Sequence, residues 1–250
     1  MLIDTHTHIL KEDNVEEYIS NAKNNGINIM ILGGTSKEEN EFSIGLINKY
    51  NELYMTIGFH PEFCNDIKES DYQDLINTIK NNKKIVGIGE IGLDYHYGKE
   101  DRIKQIELFE RQLSIAEEYN LPVVIHTRDA MEETYNILKK YKVKGIMHCY
   151  SGSYEMAKKF IDLGFYLGIG GVVTFKNSKL KDVVGKIDMN NIVFETDSPY
   201  LSPFRGEKNE SANIKYICEF VANLKNISAV EVEKITTSNA SSIFDFNRNL

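Results

Sequence analysis

Leu2-Ile3-Asp4-Thr5-His6-Thr7-His8 opens the chain with an apolar run that ends on two histidines. The run has the length of a short buried strand, and it leads into polar side chains rather than into a glycine-rich turn. That ending bears on the architecture. An open, doubly wound sheet that binds a nucleotide normally carries a glycine-rich turn after its first strand. A (β/α)8 barrel instead presents chemistry on side chains at its strand ends. No glycine stands in this first turn. Residues two apart on a strand share a face, so the imidazoles of His6 and His8 point the same way. Two neighbouring imidazoles suit a divalent ion such as zinc or manganese. A hydrogen-bonded pair of core histidines is the other reading, and the motif alone does not choose between them.

Outward from this segment the same unit recurs: a short apolar run, then a helical stretch. Candidate strands are Leu2–Thr7, Ile27–Leu32, Leu53–Ile57, Ile85–Ile88, Val123–His126, Gly145–His148, Phe165–Ile169 and Ile192–Glu195. They are short, rich in Ile and Val, and bounded by Gly, Asn or Asp, as buried parallel strands are. Candidate helices are Asn14–Asn24, Ser36–Tyr50, Asp71–Lys80, Glu100–Tyr119, Ala130–Tyr141, Ser153–Leu163 and Lys179–Lys186, with Asn213–Leu224 and Ala229–Thr237 closing the chain. Eight such alternations in 250 residues predict an α/β fold, a (β/α)8 TIM-type barrel, which typically takes about 250 residues. No linker or low-complexity tract interrupts the pattern, so residues 1–250 read as a single domain. Gly33-Gly34 and Gly168, Gly170 and Gly171 read as tight turns, since isolated glycines are weak evidence for a phosphate-cradling loop.

The 29 Lys and Arg against 37 Asp and Glu give a net charge of −8. This argues against a protein that coats nucleic acid non-specifically. It leaves room for a nuclease, because bound cations and a local basic rim attract phosphates on an acidic body. Cys64, Cys149 and Cys218 are odd in number and far apart, with no CxxC, as expected of reduced thiols in a cytoplasmic protein. No secretory pattern is visible at the start, and no run reaches the ~18 apolar residues of a membrane span. The expectation is a cytoplasmic protein with no membrane association and no obligate protein partner.

The histidines carry the functional signal. His6 and His8 end the first candidate strand, His60 follows the third, His126 ends the fifth and His148 ends the sixth; only His96 stands apart, in a loop. In a barrel these strand ends converge on the face where active sites lie. Glu90 follows the apolar Ile88-Gly89, and Asp197 follows Val193-Phe194-Glu195-Thr196. A carboxylate emerging from an apolar run is costly unless it is paired or binds a cation. For Glu90 the alternative is a salt bridge to a neighbouring Lys or Arg. For the last strand Asp197 is preferred over Glu195, because it lies nearer the strand end. His6, His8, Glu90, His126, His148 and Asp197 exceed the needs of one tetrahedral ion and suit two divalent ions, Mg2+, Mn2+ or Zn2+, with Glu90 as the natural bridge.

Several segments together resemble the TatD family of metal-dependent deoxyribonucleases, within the amidohydrolase-like barrel superfamily. They are Asp4–His8, Gly58-Phe59-His60-Pro61, Gly89–Tyr95, His126-Thr127-Arg128, His148–Gly152, Glu195–Leu201, Arg205-Gly206 with Asn209-Glu210, and Thr237–Ala240. They follow the family order along nearly the whole chain. The resemblance implies that His6, His8, Glu90 and Asp197 hold one metal, and Glu90, His126 and His148 the other. It implies hydrolysis of DNA phosphodiester bonds, a 3′–5′ exonuclease on single strands being one form, with DNA or a nucleotide as the partner. Family members depend on Mg2+ and some bind zinc, whereas four histidines with two carboxylates look more like a zinc or manganese site. Two departures stand out: Ser211 replaces a common proline after Asn-Glu, expected to affect only a helix start, and Phe59 replaces an isoleucine.

Expected roles follow. Glu90 and Asp197 are the catalytic carboxylates, with Asp197 accepting the proton of a metal-activated water. His60, Arg128 and Arg205 are candidates to hold the substrate phosphate, a second-shell imidazole being the alternative for His60 and surface ion pairs for the arginines. Asp94 is expected to orient a ligand histidine. Phe59, Phe63, Tyr95, Tyr150, Phe175 and Tyr200 fall in or near strand-end loops, where they either stack bases or pack a lid. The same ligands would also serve hydrolysis of a lactone, amide or aminoacyl ester. A non-catalytic metal-binding barrel fits the surplus of ligands less well.

Overall fold

The computed structural model describes residues 1–247. In chain order these form β1 (Leu2–Thr7), α1 (Val15–Asn24), β2 (Ile27–Gly33), α2 (Lys37–Lys49), β3 (Leu53–Ile57), α3 (Glu69–Asn81), β4 (Ile85–Asp94) and α4 (Arg102–Glu118). The second half adds β5 (Val123–Arg128), α5 (Met131–Leu138), β6 (Gly145–Met147), α6 (Tyr154–Asp162), β7 (Phe165–Ile169), α7 (Leu180–Lys186), β8 (Ile192–Phe194), α8 (Ile214–Lys225) and α9 (Ala229–Ile243). The strands belong to one sheet in the order β1 through β8. Sequential parallel strands alternating with helices make this a (β/α)8 barrel, as the spacing of apolar runs predicted.

Two compact units make up the chain: Met1–Leu32 with Cys149–Ser242, and Gly33–His148 with Ile243–Leu250. In the first, β1 pairs with β2 and β7 with β8, all parallel. Every residue of β1 is buried, Asp4 and His6 included. Asn239 of α9 donates through Nδ2 to the carbonyls of Met189 and Ile192, at 2.8 and 2.7 Å. It thereby pins the entry to β8 and gives the Thr237–Ala240 motif a structural job. In the second unit β3, β4, β5 and β6 pair in parallel succession.

Helix starts agree closely with the sequence because the capping chemistry is local. The side chains of Asn14, Ser36 and Ser153 accept from the backbone N–H groups of Glu17, Glu39 and Met156. Two elements run well beyond their expected ends. Helix α9 continues past Thr237 to Ile243, and β4 continues past Ile88 to Asp94. The β4 extension holds glycines that look like breaks in a sequence but are spacers here. A Cβ on Gly92 would lie 1.9 Å from the His126 carbonyl oxygen, and one on Gly89 would lie 2.7 Å from Val124 Cβ. The close approach of β5 requires glycine at both.

Candidate metal centre

In the first unit the backbone of β1 fixes the segment after β8. The N–H groups of Thr196 and Asp197 both donate to His6 O, at 3.3 and 3.0 Å, and His8 N–H donates to Ser198 O at 2.9 Å. Asp197 sits in the left-handed region, φ 56°, which aspartate tolerates better than most residues. This brings His6 Nε2 and His8 Nε2 to 3.1 Å from each other. Asp197 Oδ1 lies 3.9 Å from the first and 3.7 Å from the second. Two nitrogens about 2.0–2.1 Å from one zinc, at about 95–110° to each other, are about 3.0–3.4 Å apart. The donor set is therefore of the right type and spacing for a borderline divalent cation.

Behind these residues lies a buried polar network. Asp4 accepts from Thr196 Oγ1 at 2.6 Å, Ser211 Oγ at 2.7 Å and Thr196 N at 3.0 Å. The Tyr18 hydroxyl meets Thr7 Oγ1 at 2.7 Å and Ser211 Oγ at 2.9 Å, and accepts from Ser211 N at 3.1 Å. Burial raises the Asp4 pKa to about 7 against the pull of these donors. Ser211 thus does more than begin a helix: its hydroxyl is part of the support under β1. Glu195 is fully buried, with Oε1 accepting from Cys149 N–H and its carboxylate lying where a Cβ on Gly168 would sit.

The second unit holds another cluster. The register of β4 against β5 slips between Ile88 and Ile91, a bulge that re-aims the side chain of Glu90. Glu90 therefore lies inside β4 rather than after it. Its Oε1 is 2.8 Å from His126 Nδ1, 3.8 Å from His148 Nε2 and 3.9 Å from His60 Nε2. His126 Nε2 meets Asp94 Oδ2 at 2.9 Å, the orienting contact expected of Asp94. Burial opposes charge on His126, but the hydrogen bonds to Asp94 and Glu90 outweigh it and push its pKa up to about 9. Two carboxylates on one imidazole are an excess of negative charge that a cation relieves. Glu90, His126 and His60 each offer a ligand atom within 4.8 Å of the others, so this donor set also fits a divalent ion.

His60 caps the short turn Pro61–Phe63, its Nδ1 accepting from Glu62 N–H at 3.3 Å. Burial lowers its pKa to about 4. With Nδ1 taken by Glu62 N–H, a neutral ring carries its proton on Nε2, 3.9 Å from Glu90 Oε1, and that atom either donates a hydrogen bond or, deprotonated, ligates an ion, but not both.

Two glutamines of α4 hold the loops of this cluster, and the sequence reading gave them no role. Gln112 accepts from Phe59 N–H at 2.7 Å and donates to Phe59 O at 3.0 Å. Gln105 does the same for Asp94, at 2.9 Å both ways. The available signal was a pair of amides seven residues apart on a helix whose neighbours at 108, 109, 113 and 116 are apolar. Gln112→Leu leaves both buried polar groups of Phe59 without partners, at an expected cost of about 2–4 kcal/mol. Denaturant unfolding measures this directly; a loss under about 1 kcal/mol would mean that water replaces the amide.

These clusters can be compared with known proteins. Residues 3–245 match the family described as TatD related DNase. The chain belongs to the TatD family. It is 40% identical to the metal-dependent hydrolase YabD of Bacillus subtilis, itself called uncharacterized, over 99% of this chain and 100% of that one. It is 33% identical to YcfH of Escherichia coli, again a metal-dependent hydrolase called uncharacterized, over 97% and 95% of the two chains. The crystal structure of YjjV, a TatD homologue from Escherichia coli, superposes with a TM-score of 0.92 at 28% identity, covering 98% of each chain. This TatD protein is thus a metal-dependent hydrolase.

Arg128, Arg205 and His96 of the TatD protein lie in exposed positions. Arg128 ends β5 in an exposed position, its guanidinium 5.5 Å from the Tyr97 ring centre. Arg205 is exposed in the loop that follows Asp197. His96 is exposed and pairs with Asp129 at 3.0 Å. Of the strand-end aromatics, Phe59, Tyr95 and Tyr150 are buried, whereas Phe175 and Tyr200 are exposed.

Proposed function

We propose that this protein is a deoxyribonuclease that hydrolyses DNA phosphodiester bonds with two divalent ions. The observation that carries this reading is the Glu90 carboxylate facing three imidazoles, 2.8 to 3.9 Å away, in a chain of the TatD related DNase family. One ion is assigned to His6, His8 and Asp197, another to Glu90, His126 and His148. The family resemblance makes Glu90 the ligand shared by both. The imidazole-rich donors favour Zn2+ or Mn2+ over Mg2+.

Ions held by these groups supply Lewis acidity toward the phosphoryl oxygens and acidify a water. Asp197 is partly exposed and is the carboxylate assigned to accept that water's proton. His60 Nε2–H is a donor for a phosphate oxygen. Arg128 and Arg205 reach solvent, and a guanidinium matches two phosphate oxygens at once. Asp94 keeps the His126 ring oriented. The three cysteines are free thiols, which is the observation behind reading the enzyme as cytoplasmic; among the described residues no helix is long and apolar enough to cross a membrane.

Exhaustive chelation is expected to reduce cleavage of DNA oligonucleotides to background, and added Mn2+, Mg2+ or Zn2+ to restore it. Lactone, amide and aminoacyl ester substrates assayed beside DNA decide the bond. Full activity after chelation refutes the metal role, and turnover of those substrates without DNA cleavage refutes the nuclease reading.

A further inference from the structure

The loop that follows Asp197 carries side chains that the fold has no use for. Tyr200 is 60% exposed, and Phe204 and Phe175 are each 39% exposed. Large apolar side chains left in water need a reason when they cluster. The backbone sets the turn before Phe175 against the 201–203 segment. A Cβ on Gly171, near the start of the turn that ends at Phe175, would lie 2.3 Å from Leu201 O and 3.0 Å from Pro203 N. Phe204 rests on Tyr216, ring centres 4.9 Å apart.

The loop is also pinned. Asn209, fully buried, donates through Nδ2 to Thr196 O and Tyr200 O, both at 2.7 Å. Its own N–H donates to Pro199 O at 3.1 Å, and its carbonyl accepts from Ser198 Oγ at 2.8 Å. Tyr200 N–H donates to Asp197 O at 2.8 Å. Tyr200 is therefore held in solvent by a backbone fastened to the residue that carries the site carboxylate. A side chain exposed by a rigid loop pays little conformational entropy when something stacks on it.

Charge indicates what that partner is. Residues 171–182 and 200–216 hold six Lys and Arg against three carboxylates, Asp182, Glu207 and Glu210, in a chain whose net charge is −8, and Lys208 among them is paired with Asp13. Exposed rings with one arginine also occur at protein interfaces, so the surrounding charge has to decide. Aromatic rings beside cations suit unstacked bases on a phosphate backbone.

We infer that the loop 198–206 is the strand-gripping arm of the site: Tyr200 and Phe204 stack nucleobases of a single-stranded nucleic acid, and Arg205 holds its phosphate. This rests on the nuclease reading for the bond that is cut, but the grip itself is a binding property. It specifies a substrate with splayed bases rather than an intact duplex.

The test is fluorescence-polarisation binding of an end-labelled short oligothymidylate, and of an abasic strand of equal length, to the full chain. Wild type binds the oligothymidylate more tightly than the abasic strand. Tyr200→Ala weakens oligothymidylate binding about tenfold or more, since base–aromatic stacking is strong and tolerant of sequence, and leaves abasic binding unchanged. Tyr200→Phe keeps the ring and restores wild-type affinity. Arg205→Ala weakens both strands alike. Equal binding of the two strands by wild type, no binding of either, or no change in Tyr200→Ala overturns the inference. So does a Tyr200→Ala variant that sediments as a smaller species, which would assign the patch to a protein interface. Cleavage assays run in parallel separate the two readings. DNA cleavage that Tyr200→Ala leaves untouched, in binding and in KM, sinks the arm alone. Ring-dependent binding without cleavage in any metal sinks the nuclease alone.

Discussion

Glu90→Ala is expected to strip the protein of metal and of activity together. Glu90 is buried and its Oε1 lies 2.8 Å from His126, 3.8 Å from His148 and 3.9 Å from His60. Removing it leaves the three imidazoles without the carboxylate they face, with only Asp94 still on His126. Loss of a group that merely orients a ligand costs about 10–100-fold in metal affinity. If Glu90 is shared by two ions, as proposed, its loss should exceed the upper end of that range. Elemental analysis of the purified variant is expected to find both ions gone, with turnover at background. Glu90→Gln keeps the volume and removes the charge, so the same outcome there assigns the effect to the anion rather than to collapse of the pocket. Unchanged stoichiometry in either variant refutes the shared-ligand role.

Asp4→Ala is expected to destabilise the fold more than other single changes outside the apolar core. Its carboxyl accepts from Thr196 Oγ1, Thr196 N and Ser211 Oγ, and these groups are buried. Truncation takes the Asp4 acceptor from three buried donors at once and leaves them only their contacts with His6 O, Thr7 Oγ1 and the Tyr18 hydroxyl. With about 1–3 kcal/mol for each buried group left unsatisfied, and some relief by relaxation, the expected loss is about 3–5 kcal/mol. In a chain of this size about 1 kcal/mol moves the melting temperature by about 2–4 °C. Thermal unfolding should therefore shift down by about 6–20 °C. A shift within about 2 °C would mean that Thr196 and Ser211 find other partners.

What could be read from the sequence was what periodicity and local chemistry encode. The fold followed from eight apolar runs, and three helix starts fell within one residue of their expected places because Asn14, Ser36 and Ser153 cap their own next turn. The six ligand candidates stood out because each ends, or sits just beyond, an apolar run where charge is costly. The rest depended on partners distant in sequence. Nothing local in Asp4 names Thr196 or Ser211, 192 and 207 residues away. Gln105 and Gln112 sit among apolar neighbours as if tolerated there, and only the loops they hold reveal their purpose. The extent of β4 was misread because glycine signals a turn and a close strand contact alike, and only Val124 and the His126 carbonyl tell which applies. Arg128 and Arg205 are exposed, and their role rests on the ligand they meet.

The two glutamines make α4 a ruler. Gln105 and Gln112 are seven residues apart, close to two turns of helix, so both amides leave the same side and reach loops that end different strands. Insertion or deletion of one residue between them would rotate one amide by about 100° relative to the other. The helix could then keep the Asp94 loop or the Phe59 loop, but not both. Its outer face is free to drift in composition, while the count of residues between the two amides is locked by the spacing of the loops they serve.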